Sequence, residues 1–175
     1  SRSGGLAAYQ ISEGGADWRS VEIIDTDSLK LIDRIENVKF SGLSWLGDDG
    51  FYYSSYDEPK GSELTAKTDQ HKLYYHRIGQ DQAEDELVFG GRHDEKHRYV
   101  SGYVTEDEGF LVVDASNTTS GNKLFIKDLR KADQPLQVIV EEDSADIRVL
   151  YSNQDEIYAY TNLNALNGKL IKFTL

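Results

Sequence analysis

Few side chains in this 175-residue sequence stand in patterns that chemistry requires. Ser44 comes nearest to a nucleophile, in Gly42-Leu43-Ser44-Trp45-Leu46. A nucleophile elbow needs Gly-x-Ser-x-Gly, because glycine on both sides relieves crowding around a strained serine. The second glycine is missing here, so Ser44 reads as a residue of a core strand. His93-x-x-x-His97 has the i, i+4 spacing that grips zinc from one helix face. The surrounding segment 90–98 reads instead as a solvated loop between blades. His71 and His76 stand five apart around a strand start, which directs them to opposite faces of a sheet. Asp25-Thr26-Asp27 and Asp48-Asp49-Gly50 offer oxygens to a hard cation, but neither extends to a twelve-residue calcium loop. They read as turn acceptors. No metal ligand is assigned and no cofactor is expected. A glycosidase needs two carboxylates across a pocket, and 31 acids single out no pair. Asn117-Thr118-Thr119 has the glycosylation pattern and reads as a polar turn.

Composition narrows the classes further. Without cysteine there is no disulfide, no thiolate zinc site and no thiol nucleophile. A net charge of −12 argues against the basic face that nucleic acid requires. No apolar run approaches the ~18 residues that span a bilayer, so neither nucleic acid nor membrane is an expected partner. No signal-peptide pattern opens the chain, and a cytoplasmic location is expected, with the periplasm left open. Nineteen aromatic residues and 38% hydrophobic content suit a packed core rather than an acidic disordered tail. The chain begins Ser1-Arg2-Ser3 and contains no methionine, which suggests a processed, tag-cleaved or excised sequence.

The elements that must position any site are strands. Period-two patterns recur over five to eight residues, as in Val21 and Ile23, Tyr74 to Ile78, Leu124 and Ile126, and Val138 and Val140. Beta-branched and aromatic residues dominate them, with Gly, Asp, Asn and Ser clustered between. Three strands repeat a Lys-Leu-apolar motif, starting at Lys72, Lys123 and Lys169. Each follows a strand (51–56, 110–115, 156–161), an acidic or amide-rich turn before that, and an earlier strand still (43–46, 100–104, 147–151). A fourth strand follows the first two copies, at 86–89 and 136–140. Four short antiparallel strands in about 45 to 60 residues make a β-propeller blade.

The expected fold is therefore all-β, a partial β-propeller. An incomplete blade over 1–42 precedes blades at 43–94 and 95–142, and a second incomplete blade covers 143–175. A closed ring usually needs at least four blades, and a partial one leaves edges uncovered. A fragment of a larger propeller is expected, and its cut edges offer a route to self-association through main-chain hydrogen bonds.

Particular strings carry a resemblance to a known family. Ser12-Glu13-Gly14-Gly15-Ala16-Asp17-Trp18, Val38-Lys39-Phe40-Ser41-Gly42-Leu43-Ser44-Trp45, and His71-Lys72-Leu73-Tyr74-Tyr75-His76-Arg77-Ile78-Gly79 with Asp81-Gln82-Ala83-Glu84-Asp85 resemble the propeller domain of prolyl oligopeptidase in content, order and spacing. The resemblance covers essentially the whole chain and is strongest over 14–85. It implies roughly half of a seven-bladed propeller. That propeller covers an α/β-hydrolase domain of the same parent chain, whose Ser, Asp and His cleave short peptides after proline. The chain itself would carry no catalytic residue, in keeping with the absent elbow and the absent parallel βαβ pattern. Short proline-containing peptides are the implied ligands.

The resemblance also implies roles for single residues. Phe40 would present its ring to the outer part of the substrate pocket, against core packing as the plain alternative. Tyr99 and Thr118 would face the same cleft, Thr118 at a position that is Cys in some relatives. Asp17 and Trp18 would lie at the domain interface, Asp17 near an arginine of the hydrolase domain, against an ordinary turn aspartate. The polar insert 57–70, with Asp57, Pro59, Gly61 and Lys67, would be a mobile gate, against a merely exposed loop. The alternative function is a stand-alone propeller-like module that binds peptides or glycans. A third reading, a glycosidase on a propeller, suffers from the absent full ring.

Overall fold

The computed structural model describes residues 1–57 and 70–175. Among them, fourteen strands form four meanders in which each strand bonds to its neighbour in sequence. The first sheet joins β1 (Leu6–Ser12), β2 (Trp18–Asp25) and β3 (Leu31–Lys39). The second joins β4 (Leu43–Leu46), β5 (Gly50–Ser55), β6 (Lys72–Arg77) and β7 (Glu86–Phe89). The third holds β8 (Tyr99–Val104), β9 (Phe110–Ser116), β10 (Lys123–Asp128) and β11 (Gln137–Val140). The fourth holds β12 (Ile147–Asn153), β13 (Glu156–Thr161) and β14 (Lys169–Thr174). The all-β, four-sheet architecture expected from the repeats is present, and helix is confined to two short 3-10 turns at Gln82–Glu84 and His93–Glu95 among the described residues.

The chain divides into two compact units, Ser1–Ser101 and Gly102–Leu175. In the first, Val21, Ile23, Ile35 and Val38 of the first sheet pack on Phe51 and Tyr53 of β5. In the second, Phe110, Val112, Leu124 and Ile126 pack on Ile147, Val149, Ile157 and Ala159. Each such side chain contributes about 1.5–3 kcal/mol when fully buried. Strand alternation explains which ones go inward. In β10 every second residue is buried, in the order Leu124, Ile126, Asp128. In β12 a bulge between Val149 and Tyr151 breaks that period. Of the three Lys-Leu copies, Leu73 and Leu124 are fully buried, while Leu170 on the terminal strand of its sheet is 73% exposed.

One histidine departs from expectation. His97 is 2% exposed rather than solvated. Its carbonyl accepts from the His71 amide at 2.8 Å, its Nδ1 donates to the Glu95 carbonyl at 2.8 Å, and its ring stacks on Phe89. That main-chain bridge ties the loop to the residue just before β6. The Asp25 carboxylate is a turn acceptor, taking hydrogen bonds from the Ser28 amide and hydroxyl at 2.7 Å each.

A buried polar triad ties the two sheets of the first unit together. His76 on β6 is inaccessible to solvent and lies between Asp85, 2.8 Å from Nδ1, and Asp33 of β3, 3.1 Å from Nε2. The Tyr53 hydroxyl donates to the second oxygen of Asp85 at 2.8 Å. Burial by itself would lower the imidazole's pKa, but the two carboxylates outweigh it and raise it above 6.5. The two carboxylates thus favour the imidazolium, which can donate from both ring nitrogens at once. In the second unit, burial pushes Asp114 up to about 7, with Arg148 and Asn122 only partly opposing it.

Two stability predictions follow from these groups. His76→Asn should lower the stability of the first unit by about 3 kcal/mol, because the carboxylates stay buried after their cation is gone. A raised histidine stabilises fully below 6.5 and loses that contribution as pH rises through its folded value. Denaturant midpoints should therefore converge for wild type and His76→Asn at alkaline pH. Asp114 favours folding fully below 3.8 and loses that contribution as pH rises to about 7. Asp114→Asn should accordingly raise the midpoint at pH 8 more than at pH 5. An equal shift at both would refute the assignment.

Candidate functional site

Four of the residues singled out from sequence converge in the first unit, at the ends of β2, β3 and β8. Trp18 opens β2 and pairs in register with Lys39, which closes β3. The Lys39 ammonium lies 5.1 Å from the Trp18 ring centre and 5.1 Å from that of Phe40. An Asp17 carboxylate oxygen stands 3.6 Å from the same nitrogen. Lys39 is almost wholly buried, so the rings and the one carboxylate replace much of its water. The Asp17 side chain remains 64% exposed.

Phe40 is the exception to ordinary packing. It is 51% exposed and adopts φ +52°, a conformation that bulky residues rarely take. The ring stands outside the hydrophobic core of the first unit. Tyr56 meets it edge-on at 6.3 Å, and Tyr99, itself 37% exposed, lies at 6.5 Å. The segment around it is tied to β5. Ser55 donates to the Asn37 carbonyl, the Ser54 amide donates to the Ser41 hydroxyl at 2.7 Å, and Gln10 donates to the Ser41 carbonyl at 2.7 Å.

Behind the rings sits His71, 1% exposed. Its Nδ1 accepts from the Val100 amide at 2.9 Å, which leaves the proton on Nε2, and Nε2 donates to the Lys39 carbonyl at 2.9 Å. Burial lowers its pKa to about 4, against the pull of those two hydrogen bonds, so the imidazole is neutral. Tyr56 stacks on it at 4.4 Å and donates its hydroxyl to the Arg98 carbonyl at 2.7 Å. Burial pushes the Tyr56 phenol up to about 12. Gly90 permits the close approach of this strand start, because a Cβ there would meet the His71 carbonyl at 2.7 Å.

The remaining expectations fall elsewhere. Asp57 follows Tyr56 and pairs with Lys72, the residue after His71. Pro59, Gly61 and Lys67 lie outside the described residues. Thr118 is in the second unit, in the turn between β9 and β10, exposed and donating to the Ser120 carbonyl at 2.6 Å. Among the described residues no group of three or more His, Asp or Glu side chains has an arrangement that could hold a metal ion. Sequence reading missed Lys39, Tyr56 and His71. Lys39 and His71 both lie inside the strings that carried the resemblance, and a lysine or histidine at the margin of a buried strand was the available signal. The cluster offers aromatic faces and a carboxylate.

Comparison with known proteins identifies the family. Residues 1–175 match the family described as prolyl oligopeptidase, N-terminal beta-propeller domain. The chain is 47% identical to a prolyl endopeptidase of Elizabethkingia miricola over 176 aligned positions, covering 99% of this chain and 25% of that protein. A prolyl endopeptidase of Elizabethkingia meningoseptica is 46% identical with the same coverage. Among solved structures, a prolyl endopeptidase studied for inter-domain dynamics in catalysis and specificity superposes with a TM-score of 0.87 at 26% identity, over 98% of this chain and 24% of that one. Prolyl oligopeptidase B of Galerina marginata, bound to a 25mer macrocyclization substrate, gives 0.85 at 25% identity, over 96% and 26%. The chain thus spans about a quarter of the length of the relatives it matches. On matches that run from end to end, the chain belongs to the prolyl oligopeptidase family, within its N-terminal β-propeller domain.

Proposed function

We propose that this chain works as part of the propeller that stands over the active site of a serine-type prolyl oligopeptidase and restricts that site to short peptides. The hydrolase domain of such an enzyme supplies Ser, His and Asp for acyl transfer after proline. The chain's own contribution is contact and access. Phe40 and Tyr99 offer flat apolar surfaces to substrate side chains flanking the proline, and Asp17 offers its exposed oxygen to a cation of the hydrolase domain.

One observation carries this reading: Phe40 is exposed in a left-handed conformation between residues whose main chain is hydrogen-bonded on both sides. An exposed ring in a strained backbone costs of order 1–3 kcal/mol. Such a cost persists where a surface does something, and a peptide ligand gives the ring a use.

In the full-length protein, Phe40→Ala should raise KM for extended prolyl peptides by about five- to tenfold, the equivalent of about 1–1.4 kcal/mol of ring contact. The value of kcat should stay within about twofold, as expected when ground state and transition state lose the same contact. Steady-state kinetics on a series of peptides of increasing length makes the measurement. A loss confined to kcat would contradict the assignment.

A further inference from the structure

We propose that His71 is a positioning residue whose neutral imidazole sets the Phe40 and Tyr99 rings as one substrate-contacting pair. The inference rests on the reading that these rings meet substrate and adds the group that aims them. His71 touches neither ring's outer face. Its two nitrogens instead hold the main chain one residue away from each. Nε2 donates to the carbonyl of Lys39, which immediately precedes Phe40, and Nδ1 accepts from the amide of Val100, which immediately follows Tyr99. A single five-membered ring thus fixes the spacing between two segments 59 positions apart, through atoms that adjoin the left-handed Phe40.

Only the neutral imidazole can do this, because it presents one donor and one acceptor in a rigid plane. An imidazolium would present two donors and face the Val100 N–H with a like group. Burial keeps the ring neutral, and Tyr56, stacked on one face of it, also meets the edge of Phe40 at 6.3 Å. A shift of the His71 ring is therefore transmitted to Phe40 by two routes, one through the Lys39 carbonyl and one through Tyr56. The Asp17–Lys39 pair loads the same segment from the other side.

The test uses the full-length protein with His71→Ala, His71→Gln, Phe40→Ala and the His71→Ala/Phe40→Ala double variant. Glutamine carries both a donor and an acceptor, so it can restore the bridge that alanine removes. For an extended prolyl peptide, His71→Ala should raise KM about fivefold with kcat within about twofold, and His71→Gln should recover most of that loss. In the Phe40→Ala background the His71 change should raise KM by less than it does in wild type, because one of the two rings it positions is already gone. Amide exchange at Val100 should quicken by about tenfold in His71→Ala and stay near wild type in His71→Gln. KM effects that simply add in the double variant, or a glutamine variant that behaves as alanine does, would overturn the proposal. If His71→Ala fails to fold, the glutamine variant's KM and Val100 exchange decide. If Phe40→Ala leaves KM unmoved, the substrate-facing reading falls by itself, and Val100 exchange then decides the bridge separately.

Discussion

Everything in each unit depends on sheets of three or four strands burying one face against a neighbouring sheet. A two-stranded hairpin is marginal in water, and a sheet of three or more strands gains its stability from taking an apolar face out of water. Val21, Ile23, Ile35 and Val38 gain their burial only because Phe51 and Tyr53 cover them, and Ile147, Val149, Ile157 and Ala159 do the same for Phe110, Val112, Leu124 and Ile126. Strand order, register and alternation are all ways of delivering those side chains to one side. The hairpin loops and strand ends are left with little part in that core. They can carry exposed rings and strained dihedrals at a cost the core tolerates.

The Phe40 corner uses that freedom. A left-handed phenylalanine does not hold itself, so the cost is met by bonds on both sides of it. The Lys39 carbonyl and amide neighbours are fixed by His71 and by pairing to Trp18, while Ser41 is fixed by Ser54 and Gln10. Lys39 adds a buried cation between two aromatic rings, a contact worth about 0.5–2 kcal/mol depending on desolvation. The rigid part of the site is thus polar and hidden, and the part offered outward is apolar.

The fold was largely readable because period-two patterns and turn residues act over a few positions. The strands at Leu43–Leu46, Glu86–Phe89 and Glu156–Thr161 begin and end where alternation and turn chemistry place them. The fate of the third Lys-Leu copy was not readable, since Leu170 repeats the motif of Leu73 and Leu124 on a strand with no further neighbour in its sheet. The site was half readable. Phe40, Asp17 and Trp18 came from the family strings and Tyr99 from the wider resemblance, and the structure shows that they share one cluster. His71 stayed hidden because its partners lie 32 and 29 positions away, and a histidine in sequence advertises metal or catalysis rather than a main-chain bridge. His97 was misplaced for the same reason: its burial follows from the pairing with His71, a contact that no local pattern encodes.

The two buried histidines of the first unit show how far environment, rather than residue type, decides the role. His76 lies between two carboxylates and is raised, so its contribution is present below 6.5 and lost as pH rises. His71 lies between a carbonyl and an amide and is lowered, so its contribution is present above 6.5 and lost as pH falls through about 4. Their signs are opposite, so the His76 contribution is complete only below 6.5 and the His71 contribution only above it, and the two overlap in part from about 4 up to the raised value of His76. Substitution separates them in the same way. An uncharged amide side chain can imitate neutral His71, which needs one donor and one acceptor. At His76 the task is two donors and a positive charge between Asp33 and Asp85, and no uncharged side chain supplies it.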